Sequence, residues 1–127
     1  MSARPRSGLL LTHRALRDLQ GVLAYSTEQW GKAVAEQYLD ALEAGLERLR
    51  EQPDLLRPEP DLHPALRFYR VNRHLFVCDA RPGSIVVLTV IHSSMDIPSR
   101  LGELQPTLAA EVEILHRRLH GGRSRKS

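Results

Sequence analysis

Apolar positions along the chain repeat in two ways, and each repeat predicts a type of element. Gly8–Leu11 is a short apolar run of strand character, and Thr12 follows it where a helix N-cap belongs. Ala15, Leu16, Leu19, Leu23 and Ser26 then recur at intervals of three and four, which predicts a helix with one apolar stripe. Trp30-Gly31 interrupts the stripe, and glycine is poor inside a helix but useful at its C-terminal cap, so a turn is expected near Gly31. Over 32–50 a second stripe of Ala35, Tyr38, Leu42, Leu46 and Leu49 is flanked by Glu36, Asp40, Glu43 and Glu47, and Pro53 ends it. Two helices with so short a link predict an antiparallel hairpin whose apolar stripes must cover something.

The pattern changes after 53–60, where Pro53, Pro58 and Pro60 predict an extended surface loop without regular structure. Segments 66–71, 74–79 and 84–92 follow as strand candidates, separated by Asn72-Arg73 and by Ala80-Arg81-Pro82-Gly83, both hairpin-like. This predicts an antiparallel meander. Residues 85–91 are apolar on both alternating faces, so that strand should lie centrally and be covered on both sides, with Gly8–Leu11 completing the sheet. Over 106–119, Leu108, Val112, Leu115 and Leu119 form a last amphipathic helix with Pro106 near its start. The expected fold is α+β: a helical hairpin packed on a small antiparallel sheet in the order β-α-α-β-β-β, with an extra C-terminal helix. One domain over 1–121 is expected, followed by a disordered basic tail over 122–127.

Composition narrows the class. A chain of 127 residues with 42% hydrophobic and 26% charged residues suits one soluble domain with one core. No apolar run approaches the ~20 residues of a bilayer span, and Leu9, Leu10 and Leu11 are too few for a secretory leader. The single cysteine, Cys78, fits a reducing cytosol and reads as a small core hydrophobe; a cytoplasmic protein without membrane association is expected. The net charge of +3 suggests nucleic acid until the charges are located. Five bases and no acid fall in 114–127, leaving 13 bases against 15 acids elsewhere, so the basicity belongs to the C-terminus rather than to a surface.

Two constellations could carry chemistry. Arg67, Arg70, Arg73 and Arg81 crowd the meander with only Asp79 against them, a set able to hold phosphates or an acidic protein segment. Strand arginines also commonly just solvate an edge or pair with acidic helices. His92 closes the most apolar strand, followed by Ser93, Ser94, Met95 and Asp96. It could be a general base oriented by Asp96, although a histidine at a strand end more often caps a turn. The i,i+4 pair His116 and His120 lacks a third ligand and lies among arginines, and no phosphate-cradling glycine loop is present. No metal and no cofactor are expected.

Leu16-Arg17-Asp18-Leu19, Tyr25, Trp30-Gly31, Ala35, Tyr38, Leu42, Leu46 and Leu66-Arg67 form a pattern that continues into Val90-Ile91-His92-Ser93-Ser94-Met95-Asp96-Ile97-Pro98-Ser99-Arg100-Leu101. From Leu9 to Leu101 it resembles the ParE branch of the RelE/ParE toxin superfamily. The resemblance implies a helical hairpin on an antiparallel sheet and a toxin of a type II toxin–antitoxin system, associated with plasmid stabilisation and held inactive by a cognate antitoxin. It further implies DNA gyrase as the target, with the ribosome and messenger RNA as the alternative of RelE type; a partner-binding remnant without toxicity is a third reading. Carried onto this chain, the surface for antitoxin or target comprises Arg67, Tyr69, Arg70, Arg73, His92, Met95, Asp96 and Arg100. A ribonuclease would instead draw on Arg67, Arg70 and His92, without an evident full acid/base set, so protein contact is the expected mode of action. A homodimer and a toxin–antitoxin hetero-oligomer both fit. Ser94 stands where many ParE-like sequences have arginine, and segment 106–119 extends past the usual family ending.

Overall fold

The computed structural model describes residues 7–104 and 107–124. Strand β1 (Gly8–Leu11) leads into helix α1 (His13–Trp30), where Thr12 accepts a hydrogen bond from the Ala15 amide at 3.1 Å as the N-cap. Gly31 separates α1 from α2 (Lys32–Glu51) with φ +89°, a backbone conformation that costs glycine nothing and other residues strain. The hairpin therefore breaks where expected. Strands β3 (His63–Val71), β4 (His74–Arg81) and β5 (Ser84–His92) form the antiparallel meander, with Asn72 (φ +54°) and Gly83 (φ +74°) in its two turns.

Three features depart from the expectation. The proline-rich connection holds a 3-10 turn at Pro53–Leu55 and a short strand, β2 (Arg57–Glu59), paired antiparallel with β3. An edge strand tolerates Pro58 because a residue without an amide proton is excluded only from a ladder paired on both sides. The sheet is mixed, in the order β1-β5-β4-β3-β2, because β1 runs parallel to β5. That places β5 second from the edge rather than at the centre. A further short helix, α3 (Ile97–Gly102), follows the meander, capped by Asp96 and with Pro98 in its first turn. The last helix, α4 (Thr107–Ser124), continues through Gly121-Gly122; Pro106 and residues 125–127 of the expected tail lie outside the described residues.

The sheet is covered on both faces, which accounts for the apolar character of β5 at both parities. Ala15, Leu42 and Leu49 of the hairpin pack with Val71, Phe76, Cys78, Ile85, Val87 and Val90 in one layer. Leu101, Val112 and Leu115 of α3 and α4 pack with Leu66, Phe68, Leu75, Val77, Val86, Leu88 and Ile91 in the other. Helix α2 comes so near the sheet at Gly45 that an added Cβ would lie 2.6 Å from Val71 Cγ2. Between the pairs Cys78↔Val87 and Val77↔Thr89, strand β5 carries one extra residue, Leu88. Helix α1 is fastened at this bulge. The Thr12 amide donates to Val87 O, the Thr12 hydroxyl donates to Leu88 O at 2.7 Å, and Asp18 Oδ2 accepts from the Thr89 hydroxyl and the Val90 amide.

Candidate functional site at the sheet end

The β3–β4 turn and the end of β5 meet at one end of the sheet. Val71 pairs with His74 and His74 with His92, so both imidazoles stand on the hairpin face, 5.0 Å apart between ring centroids and edge to face. Tyr38 of α2 reaches this pair, with its hydroxyl 2.7 Å from His74 Nδ1. The same oxygen accepts from the Arg73 amide at 3.4 Å, and with the hydroxyl donating to a neutral His74 through Nδ1 every donor and acceptor of these contacts is used, which assigns that tautomer. Burial, reinforced by neighbouring His92, lowers the His74 pKa to about 4, which keeps this imidazole neutral.

His92 does not pair with Asp96. Its Nδ1 accepts from the Ser94 amide at 3.0 Å and lies 2.7 Å from the Ser94 hydroxyl, so it caps its own turn. Asp96 caps α3 through the Ser99 amide at 3.4 Å and the Ser99 hydroxyl at 2.8 Å. The histidine–aspartate dyad admitted by the sequence is therefore not assembled. Arg100 donates to Met95 Sδ at 3.3 Å and pairs with Glu103 at 3.1 Å, so Met95 and Arg100 form one partly exposed patch beside the turn.

The arginines do not form one cluster. Cross-strand partners share a face, and Arg67 opposes Cys78 whereas Arg70 opposes Leu75, which belong to opposite core layers. Arg67 and Tyr69 thus lie on the hairpin side, where Tyr69 accepts from Arg48 Nε at 3.0 Å, and Arg70 is exposed on the other side. Arg73 is exposed in the turn. Arg81 is spent elsewhere, on Asp79 at 3.3 Å and on Glu113 of α4. Sequence reading missed Tyr38 and His74 as members of the site. Pairing β4 with β5 from the turn would have put the two histidines side by side; the Tyr38 contact depends on how α2 docks. Among the described residues no group of three or more His, Cys, Asp or Glu could hold a metal ion, and no helix is long and apolar enough to cross a membrane.

A helical hairpin on a small sheet is also the fold of a solved structure described as a chromosomal ParDE TA system from P. aeruginosa, with a TM-score of 0.61 at 14% identity, covering 70% of this chain and 98% of that chain. The class is thus a fold found within a toxin–antitoxin assembly. Residues 9–97 match the family described as ParE toxin of type II toxin-antitoxin system, parDE. Toxin ParE of Escherichia coli is 34% identical over 95 residues, which is 74% of this chain and 92% of that protein. Toxin ParE1 of Caulobacter vibrioides is 31% identical over 93 residues, 72% of this chain and 95% of that one. The chain belongs to the ParE toxin family of type II toxin–antitoxin systems. The matched region ends at the start of α3, so α4 lies beyond it.

Proposed function

We propose that this chain is the toxin of a toxin–antitoxin pair, that a cognate antitoxin neutralises it, and that it acts in the cytoplasm by contact with DNA gyrase rather than by catalysis. The family match over 9–97, which takes in the strand-end turn of His92 and Asp96, carries the reading. The site chemistry agrees. His92 Nδ1 is engaged by Ser94, Asp96 caps a helix, and His74 is held neutral with its Nδ1 on Tyr38. A phosphodiester cleavage would need a base, an acid and a cation converging on one point, and Arg67 and Arg70 stand on opposite faces of the sheet.

The antitoxin expected here is small, acidic and partly disordered, ordering around β3 so as to meet Arg67 on one face of the sheet, Arg70 on the other and Arg73 in the turn. Tyr69 joins Arg67 on the hairpin side, and the Met95–Arg100 patch beside the turn extends the contact. Co-expression with the product of the neighbouring gene, followed by size-exclusion chromatography, should give one co-eluting complex. Separate elution would contradict neutralisation by that partner.

A further inference from the structure

A second polar cluster lies away from the strand end, in the layer between the sheet and α4. His116 is 2% exposed and bonded through both ring nitrogens: Nδ1 is 2.5 Å from the hydroxyl of Ser84, itself fully buried, and Nε2 is 3.0 Å from Asp79 Oδ1. A neutral imidazole satisfies both contacts, with Nε2–H donating to the carboxylate and Nδ1 accepting from the hydroxyl. Ser, His and Asp here form no nucleophilic triad, because no substrate reaches a serine with no exposed surface.

The three residues instead join the end of β4, the start of β5 and the middle of α4. Of the apolar side chains described on α4, Val112 and Leu115 are buried, Leu108 and Leu119 are half-buried and Ala109, Ala110 and Ile114 are exposed, and the His116 contacts add a polar hold to this apolar one. We propose that His116 is a proton-controlled latch: α4 stays on the sheet while this imidazole is neutral and detaches as it is protonated.

A proton on Nδ1 turns the Ser84 contact into donor against donor. The hydroxyl must then rotate, and Ser84 itself has no exposed surface at which water could supply a new acceptor. Charge around the ring cuts both ways. Asp79 on β4 and Glu113 on α4 favour the cation, while Arg81 on β4 opposes it. Arg117 follows on α4, and β1 contributes apolar neighbours, Leu10 against the α4 layer and Gly8, where an added Cβ would lie 2.8 Å from Leu119 Cδ2. Burial decides the balance and holds His116 below its ordinary value. His13 on α1 faces Glu111 of α4 at 3.1 Å. Detachment would open the apolar layer formed with Val86 and Leu88 on a helix that lies beyond the family match.

The test uses the full chain. NMR of the His116 ring gives its titration directly, and amide hydrogen exchange over 108–119 reads the opening of α4, corrected for intrinsic exchange, from about pH 8 to about pH 5. The ring should titrate below the ordinary 6.5. The opening constant of α4 should rise by up to about tenfold per pH unit below that value. His116→Gln keeps one donor and one acceptor without a titrating group, and should abolish this dependence. A ring that titrates at or above 6.5, an α4 opening independent of pH, or an equal dependence in His116→Gln would overturn the latch. Should the variant not fold, the ring titration of the unaltered chain still decides.

Discussion

Tyr38 shows how one hydroxyl sets the state of a neighbouring side chain. It donates to His74 Nδ1 and accepts from the Arg73 amide, joining α2 to the β3–β4 turn. Tyr38→Phe leaves a buried ring nitrogen without its donor, and a loss of about 1–3 kcal/mol is expected in urea denaturation. A loss near zero would mean that water replaces the hydroxyl. The neutral His74 also has a pH consequence. Its folded pKa of about 4 lies below the ordinary 6.5, so its contribution to stability is complete above 6.5 and is lost as pH falls from 6.5 towards about 4. The urea midpoint should fall across that window, and less steeply in His74→Gln. His116 contributes with the same sign, so His74→Gln removes only part of the slope.

At the scale of elements, two glycines in the hairpin should respond in opposite ways. Gly21 lies inside α1 with nothing within 4 Å of an added Cβ, so Gly21→Ala should stabilise by up to about 1 kcal/mol. Gly45→Val should cost about 1–3 kcal/mol, because a side chain there meets Val71. Thermal melting of the two variants tests how closely α2 packs on the sheet. Helix α4 should contribute measurably as well. Truncation after Gly121 should leave the melting temperature nearly unchanged, whereas truncation after Gln105, which removes Val112, Leu115 and His116, should lower it clearly. Equal melting temperatures would show that α4 adds nothing to the core.

These elements also mark what the sequence made legible. The Thr12 cap, the break at Gly31 and the double-sided burial of β5 follow from local pattern, and all three are present. Strand β2 escaped notice because three prolines in 53–60 argue against a ladder, and an edge position relaxes that rule. Helix α3 has a readable start in Asp96 and Pro98, which the alternative of a His92–Asp96 pair obscures. The parallel placement of β1 depends on long-range packing. The separation of Arg67 from Arg70 needed only strand parity, since an odd spacing reverses the face. Joining Asp79, Ser84 and His116, by contrast, required three elements to be docked first.

For the whole molecule, Arg67 and Arg70 on opposite faces of the sheet allow the proposed antitoxin surface to be divided. Arg67→Glu alters the hairpin side and Arg70→Glu the α3–α4 side, so the two variants should differ in their effect on antitoxin binding. Whichever weakens it should do so more at low salt. Identical losses at every salt concentration would argue for net charge alone. The central claim, contact with gyrase without chemistry at His92, is tested most directly by one paired measurement. Purified toxin and its His92→Gln variant are assayed for gyrase supercoiling and cleavage-complex formation beside translation-coupled messenger RNA cleavage. The expected result is gyrase inhibition by both proteins and no RNA cleavage by either. RNA cleavage that His92→Gln abolishes, with gyrase untouched, would contradict the account and make the protein a ribonuclease.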